Sequence, residues 1–261
     1  MLAGMPSEPI QNEQLQLATS FVMQTRCNLF LTGKAGTGKT TFLKGLHQQT
    51  DKNMVITAPT GVAAINACGV TLHSFFQLPL GPYVPGSELQ ADRNQSKYRL
   101  NKEKKTILKN LDLLVIDEIS MVRADILDAV DSVLRYYRGN DLPFGGVQLL
   151  MIGDLHQLPP IAKKEEWDLL RNYYRSVYFF SSGALARSSF ISIELNYIYR
   201  QTDQKFITIL NQLRENRLDA QSLSELNKRY IKGYVPVSDQ GYISLTTHNT
   251  SAESMNHSRL Q

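Results

Sequence analysis

Asn28-Leu29-Phe30-Leu31-Thr32-Gly33-Lys34-Ala35-Gly36-Thr37-Gly38-Lys39-Thr40-Thr41 is the stretch that decides the fold. A short apolar run feeds a glycine-rich loop, which ends in Lys-Thr-Thr and continues as Phe42-Leu43-Lys44-Gly45-Leu46. Gly33, Gly38, Lys39 and Thr40 stand at the fixed positions of the phosphate-binding pattern G-x-x-x-x-G-K-[ST]. Gly36 and Gly38 can take backbone angles closed to other residues, which lets successive N–H groups turn inward. Gly33, Ala35, Gly36, Thr37 and Gly38, followed by Lys39, Thr40 and Thr41, are therefore the candidate phosphate cradle. Lys39 is expected to reach the outer phosphates and the Thr40 hydroxyl to bind Mg²⁺. The helix that follows would aim its positive end at the same phosphates. An ordinary glycine turn is the alternative. Strand-like residues before the loop and a helical pattern after it favour the nucleotide, but such loops serve many functions.

Composition sets wide bounds. At 261 residues the chain can bury one large core or two smaller ones, and its apolar (42%) and charged (20%) fractions suit a soluble globular protein. The formal charge of +4 permits nucleic-acid binding without suggesting it. Cys27 and Cys68 stand far apart with no C-x-x-C pairing and no histidine cluster nearby. This argues against a zinc site or a disulfide framework and makes a reducing cytosol the default. No apolar run reaches membrane-spanning length, and Met1-Leu2-Ala3-Gly4-Met5-Pro6 lacks a basic region followed by an apolar one. The expected location is cytoplasmic, nucleoid-associated if the source is prokaryotic, with no membrane partner.

Working outward, residues 7–23 read as an amphipathic helix, with Ile10, Leu15, Leu17, Phe21 and Val22 available to pack. Residues 54–58 form a second strand, closed by Pro59-Thr60-Gly61, and 61–67 a short helix stopped at Gly69. Residues 77–105 open on prolines and glycines and turn polar and basic, which fits either a solvated surface insertion or a small inserted subdomain. Leu111-Asp112-Leu113-Leu114-Val115-Ile116-Asp117-Glu118 is a nearly continuous apolar strand of the kind buried on both faces of a parallel sheet, and Val147-Gln148-Leu149-Leu150-Met151-Ile152 is another. Between them Ile126, Val130, Val133, Leu134 and Tyr137 recur at helical spacing, with Gly139 as the stop. Residues 176–180 and 189–195 are expected to add two more strands. After Arg200 the pattern restarts, with helices around 206–213 and 223–230, a strand at 242–246 and a helix at 251–260. Strands alternating with helices give an α/β doubly wound parallel sheet, with ligands outside the carboxyl ends of its strands.

Chemistry-bearing residues fall at those strand ends. Asp117 and Glu118 close a buried strand. Asp117 is expected to hold Mg²⁺, directly or through water, and Glu118 to orient and deprotonate the attacking water. The alternative is an exposed acidic pair capping the next helix. Gly153-Asp154-Leu155-His156-Gln157-Leu158-Pro159-Pro160 follows another buried strand. Gln157 there can hydrogen-bond a terminal phosphate, and the double proline stiffens the loop that would transmit its presence. His156 has no second ligand near it in sequence and reads as packing or solvent-facing. Arg200 lies where the two regions meet. A guanidinium there either is a surface charge or reaches across as an arginine finger, a device that accelerates hydrolysis by roughly 10³–10⁵.

As an ordered set, these segments resemble the petite-integration-frequency (PIF) family of superfamily-1B DNA helicases, relatives of RecD. Residues 33–40 match its phosphate loop, and Val115-Ile116-Asp117-Glu118-Ile119-Ser120-Met121 resembles its Mg²⁺ motif. Ala58-Pro59-Thr60-Gly61-Val62-Ala63-Ala64 with Thr71-Leu72-His73-Ser74-Phe75-Phe76 resembles its first DNA-contacting motif. Pro143-Phe144-Gly145-Gly146-Val147-Gln148-Leu149, leading into Gly153-Asp154 and Gln157-Leu158-Pro159-Pro160, is close to the family's signature, and Tyr199-Arg200-Gln201 to its arginine-finger motif. The resemblance implies a P-loop NTPase of RecA-like fold with ATP and Mg²⁺ as cofactors. It makes Gln14 the reader of the adenine edge. No N-K-x-D guanine motif stands against this, since Asn227-Lys228 is followed by Arg229-Tyr230.

The same resemblance implies a first RecA-like domain at 1–76 and 106–189, a wedge subdomain at 77–105, and the beginning of a second RecA-like domain at 190–261. Its partners would be single-stranded DNA and single/double-strand junctions, engaged by a monomer. The implied DNA contacts are Pro59, Thr60, His73 and Phe76 in the first domain and Thr247 and His248 in the second. Phe75 and Phe76 are alternatively core residues, at least one of them by expectation. Translocation 5′ to 3′, DNA repair and telomere maintenance come with the family alone. The family's inserted barrel, Gln-Gly motif and late arginine motif have no counterpart before Gln261. A truncated second domain is therefore expected, and with it the alternative of a fragment that binds nucleotide or DNA without unwinding.

Overall fold

Six parallel strands carry the fold: β1 (Asn28–Gly33), β2 (Met54–Ala58), β3 (Val70–Thr71), β4 (Leu113–Ile116), β5 (Gln148–Gly153) and β6 (Phe190–Leu195). The structure, a computed structural model, describes residues 12–86, 100–234 and 243–260. The strands lie in the order β3-β2-β4-β5-β1-β6, which brings every carboxyl end to one edge. The pleat sorts their side chains between two layers. Leu29, Leu31, Leu113, Val115, Leu150 and Ile152 point into one core with Ala18, Val22, Phe42, Leu43 and Leu46. Those partners come from α1 (Glu13–Gln24) and α2 (Lys39–Gln49). Phe30, Leu114, Ile116, Leu149 and Met151 point into the other core.

The short helix α3 (Gly61–Asn66) contributes no residue to that second layer. It is covered by α4 (Leu72–Phe76), α5 (Lys102–Asn110) and α6 (Ala124–Arg138), of which α6 contributes most. Gly139 ends α6 in the left-handed conformation, φ 65°, as its position predicts. The segment after β5 forms α7 (Lys164–Leu170) and the single turn α8 (Gly183–Ala186) before β6.

Three expectations change. Residues 176–180 make only one bridge, Tyr178 to Arg123, and then a tight turn at Phe179–Ser181. Ser182 ends that turn by capping α8, which leaves no length for a strand. The strand at 189–195 does form, but its partner is β1, from Asn28↔Phe190 to Gly33↔Leu195. The sheet-bearing unit therefore runs to Asp203, and the second unit begins at Gln204 rather than at 190. Residues 243–246 are unpaired and exposed, so no strand forms there among the described residues. Residues 87–99 of the expected wedge, and residues 1–11 with Ile10, lie outside the described residues.

Taken by itself, the second unit contains α9 (Gln204–Arg214), α10 (Ala220–Asn227) and α11 (Asn249–Leu260). Asp219 caps α10 through Ser222 N at 2.7 Å and also accepts from Gln212 Nε2 on α9 at 2.8 Å. Lys205 pairs with Glu225 at 3.0 Å.

The block 143–149 is a clamp on α6. Phe144 N donates to the buried Asp131 carboxylate at 2.6 Å, and Arg138 Nε donates to Gly145 O at 2.6 Å. Gly145 has φ 60°, and a Cβ there would lie 2.8 Å from Arg138 Cδ and 2.9 Å from Leu134 O. Gly145→Ala is expected to destabilise the domain by roughly 2–4 kcal/mol through left-handed strain and this overlap. Urea unfolding measures it as a lower midpoint at constant slope.

Candidate nucleotide and single-strand site

The phosphate loop leaves β1 at Gly33 and enters α2 through Gly38, which caps the helix in the left-handed conformation at φ 91°. Gly36 is also left-handed, at φ 82°. Lys39 Nζ donates to Gly33 O at 2.6 Å and Lys34 O at 3.0 Å, so its ammonium sits over the loop. Thr37 is buried, and its hydroxyl closes the loop on Lys34 O at 2.9 Å. Thr40 and Thr41 are exposed in the first turn of α2.

The segment carrying Arg200 lies directly on this loop. Tyr199 N donates to Gly36 O at 2.8 Å, and a Cβ on Gly36 would fall 2.5 Å from Arg200 Cβ. A Cβ on Gly38 would lie 3.5 Å from the Tyr199 ring. Asn12 Nδ2 donates to the Tyr199 hydroxyl at 3.2 Å, and Gln14 Oε1 accepts from Asn196 N at 3.2 Å. Gln14 thus borders the 196–200 segment from α1, and Arg200 is exposed beside the loop.

Asp117 and Glu118 follow β4 on the same edge. Asp117 N donates to Thr57 O at 2.8 Å, and its carboxylate accepts from Glu118 N at 3.0 Å. Glu118 takes the left-handed conformation, φ 52° and ψ 43°, rare for a residue with a side chain. Burial raises the pKa of both carboxyls. For Glu118 the Asp117 charge adds to the rise, Lys39 opposes it, and Asp154 adds a little more. Glu118 therefore feels the charges of Asp117, Lys39 and Asp154, in that order. A half-buried carboxylate pair that resists ionisation is a fitting donor set for a divalent cation, whose charge would relieve the penalty.

Asp154, the residue after Gly153, has a structural role that its place in the sequence does not state. It is 1% exposed, and it accepts from His156 N at 3.0 Å and Gln157 Nε2 at 3.2 Å. Asp154 therefore orients the amide of Gln157. Its signal in the sequence was its place one residue after a fully buried strand.

Beside this cluster is a cavity of about 230 Å³, lined among others by Pro59, Thr60, His73, Arg123, Pro159 and Ile161. Thr60 also caps α3 through Ala63 N at 3.2 Å. Burial, with the neighbouring Arg123 charge, lowers the His73 pKa and favours a neutral imidazole, while Asp125 pulls weakly the other way. Phe76 does not line this cavity. It is 2% exposed and makes an edge-to-face pair with Phe75, which is 8% exposed, so both are core and Phe76 offers no face to DNA. In the second unit Thr247 and His248 are exposed and hydrogen-bonded to each other at 2.8 Å.

Comparison with known proteins identifies the family. The family model described as PIF1-like helicase matches residues 9–223. The chain is 34% identical over 227 residues to the ATP-dependent DNA helicase RRM3 of Saccharomyces cerevisiae, covering 83% of this chain and 30% of that one. It is 33% identical over 261 residues to the ATP-dependent DNA helicase PIF1 of Homo sapiens, covering 99% of this chain and 38% of that one. Among solved structures, Pif1 helicase from Bacteroides in complex with ADP-AlF3 and ssDNA matches with a TM-score of 0.89 at 42% identity, over 97% of this chain and 57% of that one. Pif1 from Candida albicans matches with a TM-score of 0.77 at 31% identity, over 97% of this chain and 55% of that one. The sheet is thus a RecA-like P-loop NTPase fold. The chain spans about a third of the length of these two curated relatives.

The raised carboxyl pKa values make a prediction with a definite sign. Below the ordinary carboxylate range both forms of the protein are protonated and Glu118 costs nothing. As pH rises through its folded pKa, the folded state loses the stability of a protonated Glu118. Glu118→Gln is expected to raise the melting temperature at pH 7–8, with the gain vanishing as pH falls towards 4.5. Thermal unfolding across pH measures this, and turnover in the same variant is expected to fall by roughly 10²–10⁴.

Proposed function

The chain belongs to the PIF1-like helicase family, and on that premise we propose that it forms the ATPase-bearing part of an ATP-driven DNA helicase. The observation that carries this reading is the convergence of Lys39, Asp117, Glu118 and the Asp154-held Gln157 at one sheet edge, beside a cavity bordered by Pro59, Thr60 and His73.

In this reading the loop N–H groups from Ala35 to Thr41 hold the phosphates and Lys39 exchanges its carbonyl partners for the outer phosphates. Gln14 reads the adenine edge. Thr40 and Asp117 would hold Mg²⁺, which supplies charge neutralisation on the phosphates when bound. Glu118, with its raised pKa, takes a proton from the attacking water. Gln157 contacts the terminal phosphate, and Arg200 stabilises the charge that develops on it. Single-stranded DNA lies along the cavity at Pro59, Thr60 and His73 in the first unit, and the resemblance makes Thr247 and His248 its contacts in the second. The resemblance supplies the remaining parts: 5′ to 3′ translocation by a monomer, single/double-strand junctions as substrate, a cytoplasmic or nucleoid setting, and service in DNA repair and telomere maintenance.

The experiment is ATP hydrolysis by the purified chain with and without single-stranded DNA, beside nucleotide affinity. Turnover stimulated by DNA is expected, and Lys39→Ala is expected to lower it by roughly 10²–10³. Hydrolysis indifferent to DNA and RNA alike would contradict the helicase reading.

A further inference from the structure

Between the Gln157 loop and the cavity lies an ionic hub that the proposed chemistry does not use. Asp125, in the first turn of α6, has its side chain 1% exposed. It accepts from Arg123 Nε at 2.8 Å and Arg123 Nη2 at 2.7 Å, and from Tyr83 N at 2.9 Å. Arg123, 12% exposed, spends its other terminal nitrogen on Glu166 Oε2 at 2.8 Å. Glu166 belongs to α7 and accepts from Lys163 N at 3.1 Å with the same oxygen.

This hub joins three segments far apart in sequence. Tyr83 lies in the first part of the insertion after α4. Arg123 and Asp125 follow the Asp117–Glu118 strand end, and Glu166 follows the Gln157 loop by nine positions. Pro159 and Pro160 fix φ within that short path, so a shift at Gln157 reaches α7 with little slack. Arg123 also lines the cavity, beside Pro59, Thr60 and His73. A bidentate guanidinium with a buried carboxylate on one side and a half-buried one on the other is rigid in orientation. Removing Asp125 would leave charge uncompensated in a partly buried place, whereas losing the Glu166 charge leaves Arg123 still held bidentately by Asp125.

We propose that Arg123, clamped between Asp125 and Glu166, is a positioning residue that couples the phosphate-sensing loop at Gln157 to the single-strand cavity. The inference rests on the proposed function, since it presumes that nucleotide and single strand bind where that reading places them. The Asp125–Tyr83 arm anchors the cavity side. The Glu166 arm carries displacement from the nucleotide side, and cutting it uncouples the two sites while leaving each one built.

The test is a linkage measurement on the full chain and its Glu166→Gln variant. Affinity for a fluorescent oligothymidine is measured with and without ADP and aluminium fluoride, and nucleotide affinity is measured separately. In the parent, nucleotide is expected to change DNA affinity by roughly 5–150-fold. In Glu166→Gln that ratio is expected to fall to within about twofold of one, with nucleotide affinity unchanged within about twofold, a pattern a merely structural lesion does not give. A variant that keeps the parent's ratio overturns the inference, as does a parent whose ratio is already one. Loss of nucleotide affinity in the variant also overturns it, because Glu166 would then support the fold rather than the coupling. A parent that binds neither ligand overturns the functional reading itself.

Discussion

Gly36 lies against Arg200 so closely that no side chain fits between them, and its carbonyl takes the Tyr199 N–H at 2.8 Å. The loop's left-handed turns at Gly36 and Gly38 set where its N–H groups point, and the 199–200 segment sets where those turns sit. The β1–β6 pairing makes this possible, because Gly33 and Leu195 end side by side and launch both segments from adjacent strands. Glycine supplies the conformation, and the absence of a Cβ supplies the contact. Neither condition survives a larger residue.

On the same edge the sheet does something costly. It delivers Asp117 and Glu118 into a half-buried place, turns Glu118 into a left-handed conformation, and sets a third carboxylate, Asp154, nearby. Such strain and like-charge crowding persist only where the surrounding structure over-determines them. Here β4 is buried along its whole length, and Gly153 leaves room for Ile119 and Ser120, whose backbone nitrogens would lie 3.1 and 3.2 Å from a Cβ at that position. Lys39 is the compensating charge. Carboxyl pKa values raised by burial beside the glycine loop are a cost in stability that the fold carries at this edge.

Much of this was legible in the sequence because the signals are local. The glycine spacing at 33–38, the unbroken apolar run ending at Asp117 and the Gly139 stop each depend on neighbours within a few residues. What failed depends on distant partners. Residues 176–180 have strand-like composition, yet Ser182 caps a helix and Phe179 pairs with Phe30 at 5.4 Å. Phe76 looks like a stacking platform until α4 is seen to bury it. β6 reads as a strand from sequence, but its place beside β1 is a topological fact that no local pattern encodes. The Arg123–Asp125–Glu166 hub spans 43 positions between Arg123 and Glu166 and had no motif to announce it. Asp154 was visible, but its grip on Gln157 needed the turn that brings Gln157 N to Asp154 O at 3.0 Å.

The central claim is that close packing of the 199–200 segment on Gly36 shapes the phosphate loop for a nucleotide. Calorimetric titration of ADP into the chain and into Gly36→Ala tests it most directly, with circular dichroism to establish that the variant stays folded. The account predicts one nucleotide per chain, bound at least about tenfold more weakly by the variant, because left-handed strain and the displaced arginine segment both spoil the cradle. Equal affinity in the folded variant would contradict it.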